Sequence, residues 1–201
     1  MVPRLREAHE PADAAVTGAA RLILASRSPQ RRAILEQIGV AFEVRVPEVE
    51  ELDDGPAAEV ALENAYRKAS AVAPAELPVL GVDTVVSLGR EIFGKPRDAA
   101  DAVRMLATLA GRTHVVVSGV CLIAGDRVRT AAAQTAVEFR ALDDAAISAY
   151  LATGEWAGRA GGYAIQGRGA TLVTRIEGDY LNVVGLPVAA LLDLAPDLIA
   201  A

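Results

Sequence analysis

The chain has 201 residues, of which 52% are hydrophobic and only 4% aromatic, and it carries a formal net charge of −6. That length suits one large domain or two small lobes, with Ala, Val, Leu and Ile left to fill the core. The acidic balance argues against a broad basic face for nucleic acid, and no apolar run reaches the roughly 18 residues of a membrane span.

Residues 1–20 mix charges with Ala and Pro and lack the apolar centre of a signal peptide, so they read as a flexible extension ahead of one domain over 21–201. Arg21–Ala25 reads as a strand and Gln30–Ile38 as a helix, with Ser28 as N-cap, Pro29 as first helical residue and Gly39 as stop. Phe42–Val46 is a second strand, followed by an acidic loop through Glu48, Glu50, Glu51, Asp53 and Asp54. Ala57–Ala73 is a helix with Val60, Ala61, Ala65 and Ala69 near one face. Val79–Leu88 is a strand, and Gly89-Arg90 turns it into Glu91–Phe93.

Asp98 caps a helix with Val103, Leu106 and Leu109 pointing inward, ended by Gly111-Arg112. His114–Ala124 and Arg127–Arg140 form a long antiparallel pair, and Asp143 or Asp144 caps a helix to Leu151. A Gly-rich stretch from Gly154 to Gly169 precedes a strand over Ala170–Glu177 and a closing helix over Val184–Leu194. The alternation predicts an α/β fold with a mixed sheet of long strands that fits no simple doubly wound order. The lone Cys121 lies in an apolar run, excludes an intrachain disulfide and suits a reducing, cytoplasmic compartment.

Four places carry chemistry. Arg31 stands near the third position of the first helix, where a capping box prefers Glu or Gln and where the dipole disfavours a cation. Two readings stand: an anion held by the helix mouth and the guanidinium groups, or solvated arginines beside a turn. Asp83 interrupts the apolar run Val79–Val86, which is costly unless the carboxylate is paired or binds a metal; the plain reading is an Asp bonded to a turn. Gly81 could let a ligand approach, and one or two acidic-loop carboxylates could share a divalent cation with Asp83. Lys95 is presented by Gly94-Lys95-Pro96, and Lys68 defaults to a solvated helix face. Around Tyr163 and Gln166, the glycines suggest either backbone close to a planar or charged ligand, with Gln166 reading a base edge, or an irregular loop. No Walker-type loop, GxGxxG, HExxH or CxxC is present, and a His-based triad would rest on His114 alone.

In order, Leu24–Arg32, Glu50-Glu51, Gly81–Thr84 with Gly94-Lys95-Pro96, and Ala160–Gly167 with Gly185-Leu186-Pro187 resemble the signature blocks of the Maf (septum formation inhibitor) family of nucleoside triphosphate pyrophosphatases. The resemblance covers Arg21 to Leu194. It implies an inosine-triphosphatase-like fold with two lobes around a central cleft. It also implies hydrolysis of a nucleoside triphosphate to the monophosphate and pyrophosphate with a divalent metal, Mg²⁺ or Mn²⁺, in a homodimer. By position, Asp83 matches the proton acceptor, and Ser26, Arg31, Glu51, Lys68 and Lys95 match phosphate- and metal-site residues, Glu51 and Asp83 at the metal.

Gln30, Thr84 and Gln166 fall where the family sets base preference, and the last two resemble the branch acting on dTTP and UTP. That branch usually has Arg where this chain has Gln30, a departure that bears on base preference and leaves Arg31 untouched. The competing reading is a non-catalytic nucleotide-sensing regulator of septation, which would keep Arg31 but has no need of Asp83 with Glu51.

Overall fold

The computed structural model describes residues 21–199; the expected N-terminal extension lies outside them. A single seven-stranded mixed sheet forms the frame, in the order β2-β1-β3-β5-β6-β7 with β4 attached to β3. β1 (Leu22–Ala25) runs parallel to β2 (Phe42–Val44) and to β3 (Val79–Leu88). β4 (Glu91–Phe93), β5 (Thr113–Ala124), β6 (Arg127–Phe139) and β7 (Val173–Glu177) add antiparallel pairings. Helices cover both faces: α1 (Pro29–Gln37), α2 (Ala57–Ser70), α3 (Ala99–Leu109), α4 (Asp144–Leu151), α5 (Tyr180–Val184) and α6 (Val188–Leu194).

The cleft originates in a gap in this sheet. One edge of β3 is fully occupied by β5, from Val79 to Ser87. The other edge pairs with β1 only as far as Gly81, and with β4 only from Val86 onward. Between those registers, no strand among the described residues covers residues 82–85. Strand alternation sends Asp83 and Thr84 to opposite faces at this open edge.

The even-numbered face of β3 packs Leu80 and Val82 into a core with Leu24, Ile34, Leu35 and Leu186, whereas Val86 joins a second core with Phe93, Leu106, Phe139 and Tyr163. The odd-numbered face lies under α2, whose buried stripe is Val60, Ala61, Ala65 and Ala69, as its spacing predicts. A Cβ on Gly81 would strike the Ala65 carbonyl, and one on Gly119 the Ala61 carbonyl. These glycines thus admit a helix, not a ligand, which corrects the expectation for Gly81.

Ser28 caps α1, Asp98 caps α3 and Asp143, rather than Asp144, caps α4. Val103 is 42% exposed, contrary to expectation; Ala102, Met105, Leu106 and Leu109 form the buried face of α3 instead. β2 and α2 stop at Val44 and Ser70, short of their expected ends. The expected strand from Ala170 begins only at Val173, because Gly167–Leu172 coils into 3-10 turns. Of the closing helix expected over Val184–Leu194, only α6 from Val188 is observed: the unforeseen α5 ends at Val184, Gly185 follows with φ of +127°, and Pro187 is the N-cap of α6. A proline lacks the N–H that an uninterrupted helix would need there.

Candidate active site

A cleft of about 1020 Å³ opens along the free edge of β3. Ser26, Gln30, Arg31, Glu51, Lys68, Asp83, Thr84, Lys95 and Gln166 all line it. Residues spread over more than half the chain therefore meet, because α1 reaches the gap from one sheet face and α2 from the other.

Arg31 is held from three directions. Its Nε donates to the Gly185 carbonyl at 2.9 Å, Nη1 to Ser26 Oγ at 3.0 Å and Nη2 to Thr84 Oγ1 at 3.2 Å. The split between α5 and α6 thus supplies the carbonyl that aims this side chain. Thr84 Oγ1 in turn lies 2.8 Å from Ser118 Oγ on β5. None of these partners is a carboxylate, and a guanidinium has five N–H donors, so Arg31 keeps donors for an anion. Burial pulls the Arg31 guanidinium below its ordinary value, and the charges of Asp83 and Glu51 pull it part of the way back. Of its neighbours in sequence, Arg27 lines the cleft, while Arg32 is exposed and does not.

Across the strand, Lys68 Nζ sits 2.5 Å from Asp83 Oδ1 and 2.9 Å from Glu51 Oε1. Lys68 and Asp83 are buried, and Glu51 is the exposed member of the trio. The expectation of a solvated face for Lys68 is overturned: the glycine-assisted approach of α2 carries its stem under the sheet. Burial pushes the Asp83 carboxyl up, but the charge and hydrogen bond of Lys68, the charge of Arg31 and the Asn64 hydrogen bond together bring it below the ordinary carboxylate value. Asp83 is consequently ionised at neutral pH.

Asn64 was missed in the sequence. It accepts from Leu52 N–H at 2.7 Å, and its Nδ2 donates to the Leu52 carbonyl at 2.9 Å and to Asp83 Oδ2 at 3.1 Å. It therefore clamps the acidic loop to the carboxylate of β3. A signal was present: Asn64 and Lys68 are i,i+4 neighbours on the otherwise apolar stripe of α2.

Lys95 is exposed at the rim. Gln30 is tied locally, its Oε1 accepting from Ser28 Oγ at 3.2 Å. Gln166 is exposed, on a loop that Glu155 anchors through the N–H groups of Arg168 and Gly169. Tyr163, by contrast, is core: it meets Phe139 and His114 edge-on at 4.7 and 5.4 Å, and its hydroxyl lies 2.8 Å from His114 Nε2. His114 is fully buried and does not line the cleft, in keeping with the little weight a His-based triad carries.

Among the described residues, no group of three or more His, Cys, Asp or Glu side chains forms a metal cage. Two carboxylates nevertheless converge on one point, since both reach Lys68 Nζ. Hard divalent cations prefer such oxygen donors and complete their shell with phosphate and water, so the donor chemistry fits an ion that arrives with a polyphosphate.

A family model described as Maf-like protein matches residues 21–198. The chain belongs to the Maf family. Among its relatives, the dTTP/UTP pyrophosphatase of Gloeobacter violaceus is 51% identical over 179 residues, covering 87% of this chain and 94% of the relative. That of Symbiobacterium thermophilum is 48% identical over 174 residues, covering 84% and 89%. That of Pyrococcus furiosus is 44% identical over 181 residues, covering 87% and 93%. In this Maf-family chain, the four sequence blocks that carry the resemblance each deliver residues to the same cleft: Ser26 and Arg31 from the first, Glu51 from the second, Asp83 and Lys95 from the third, and Gln166 and Gly185 from the last.

Proposed function

We propose that this Maf-family protein hydrolyses nucleoside triphosphates at the bond between the α- and β-phosphates, releasing the monophosphate and pyrophosphate, with dTTP and UTP as preferred substrates. The single observation that carries the reading is the opposition of Arg31 and the Lys68-tethered pair Asp83 and Glu51 across the free edge of β3, within one cleft. A site that only sensed a nucleotide would need the cation but not the buried carboxylate.

Arg31, carried by the α1 N-terminal turn, binds the phosphate chain, and Ser26, Thr84 and Gly185 fix its orientation. Asp83 accepts the proton of the attacking water, a role open to it because it is ionised at neutral pH. Lys68 holds the two carboxylates in place and limits their mutual repulsion, and Asn64 fixes the second Asp83 oxygen. Lys95 adds positive charge at the rim. Glu51 and Asp83 would hold Mg²⁺ or Mn²⁺, which when bound supplies charge neutralisation at the phosphates and a more acidic water. Most of the rate enhancement comes from positioning and electrostatics, as in phosphoryl transfer generally.

Gln166 and Thr84 bear on the base preference, with Gln30 in place of the branch's usual Arg widening the accepted range. The proposal extends to a homodimer, which rests on the family resemblance alone, and to a reducing, cytoplasmic compartment, which the lone Cys121 suits. The test is pyrophosphate release from a panel of nucleoside triphosphates, with and without Mg²⁺. Expected are release from UTP and dTTP above the purine triphosphates and loss of activity on chelation. Nucleotide binding without release under any condition would point to the sensor instead.

A further inference from the structure

Arg159 also lines the cleft, from the turn that follows α4. Its backbone is pinned: Arg159 N–H donates to the Trp156 carbonyl at 3.2 Å, and Gly162 N–H donates to the Arg159 carbonyl at 3.0 Å. Trp156 Nε1 donates to the Leu151 carbonyl at 3.1 Å, fastening the turn to the end of α4. Gly161 N–H donates to the Gly94 carbonyl at 3.0 Å, which ties this segment directly to the turn that presents Lys95.

The side chain is not satisfied in the same way. Arg159 Nε is buried and finds no acceptor, and among the described residues no carboxylate pairs with its guanidinium. Three other arginines show the contrast. Arg31 donates to three protein oxygens, and Arg97 and Arg104 are both bound by Asp101. A cleft-lining arginine with one guanidinium N–H buried and unpartnered keeps donors for an acceptor that enters the cleft.

We propose that Arg159, acting with Lys95, grips the β- and γ-phosphates and neutralises pyrophosphate as it leaves. This rests on the reading that the site cleaves the α–β anhydride. In that step the water oxygen bonds to the α-phosphorus, and the bond from that phosphorus to the bridging oxygen breaks. The bridging oxygen departs on pyrophosphate with the electron pair, and the water's proton passes to Asp83. Negative charge therefore grows on the leaving group, where the paired cations of the Gly94–Pro96 turn and the Arg159 turn are held together. Arg31 keeps the α-phosphate side.

The test is calorimetric titration of the full chain with inorganic pyrophosphate and, separately, with uridine monophosphate, in the same Mg²⁺ buffer. Arg159→Ala should weaken pyrophosphate binding roughly tenfold to a hundredfold, the scale of a lost charge-assisted contact, and leave uridine monophosphate within about twofold. Arg159→Lys should recover part of the loss, and Arg159→Met carries the same comparison should the alanine variant not fold. Unchanged pyrophosphate binding in these variants overturns the proposal. So does a parallel loss of both ligands, because a merely structural arginine would move both. If the unaltered protein binds pyrophosphate through Arg159 yet hydrolyses no triphosphate, the cleavage reading fails while this anion site stands.

Discussion

Asp83 is a buried carboxylate whose two oxygens are both taken, Oδ1 by Lys68 and Oδ2 by Asn64. Such a group is stabilised in one orientation and kept ionised, the state a proton acceptor requires. Asp83→Asn should therefore lower turnover by roughly 10² to 10⁴, the usual loss for a general base, with KM for the triphosphate little changed. Steady-state kinetics on UTP checks this, and near-normal turnover would remove Asp83 from the role. That Asp83 needs partners was legible in the chain, since a carboxylate inside an apolar strand is costly to bury alone. The identity of the partners was not. Lys68 lies on another element and resembles any helix-surface lysine until the helix is seen against the sheet.

At the scale of an element, α2 does the most to shape the site. Its close approach depends on two strand positions without Cβ, Gly81 on β3 and Gly119 on β5, which meet the backbone at Ala65 and Ala61. Gly119→Ala would force the helix away from the sheet. Overpacking of this kind costs about 1–3 kcal/mol, and here it would also withdraw Lys68 and Asn64 from Asp83. Chemical denaturation should show the stability loss, and kinetics a fall in kcat larger than any rise in KM. Unaltered stability would mean the helix has slack that its contacts do not suggest. The break between α5 and α6 is a second case: the helix expected from Val184 begins only at Val188, after Gly185 and Pro187, and the Gly185 carbonyl so released orients Arg31. Periodicity detects apolar faces, and it cannot weigh one Gly and one Pro against the apolar spacing that continues into the seven residues of α6.

At the scale of the whole molecule, the core around Phe93, Leu106, Phe139 and Tyr163 has His114 packed edge-on against Phe139 and Tyr163. Burial pushes the His114 imidazole down to about 4 from 6.5. Its Nδ1 has no acceptor, so a second ring proton would gain no hydrogen bond there. The unfolded chain takes up that proton below pH 6.5 and the folded chain only near pH 4, so stability is complete above 6.5 and is lost as the pH falls between those values. Urea unfolding should give roughly 2 kcal/mol less stability at pH 5 than at pH 7. His114→Asn should flatten that slope, and an unchanged slope would assign it to other groups. Asp83 adds in the same direction only at lower pH, because its folded value lies below the ordinary carboxylate range.

The family resemblance, not local patterning, singled out Ser26, Glu51 and Lys68 for the cleft; local patterning was enough to reveal the α/β class, nearly every strand and helix, and the caps at Ser28 and Asp98. These follow from the chemistry of neighbours in the chain: alternation, helical spacing, and hydroxyls or carboxylates ahead of bare N–H groups. Long-range packing settled the rest. It left β3 uncovered between Gly81 and Val86, brought α2 close enough for Lys68 to bridge Asp83 and Glu51, and left Arg159 Nε without an acceptor. Each depends on which element lies beside which, and short-range periodicity contains no term for the distance between residues far apart in the chain.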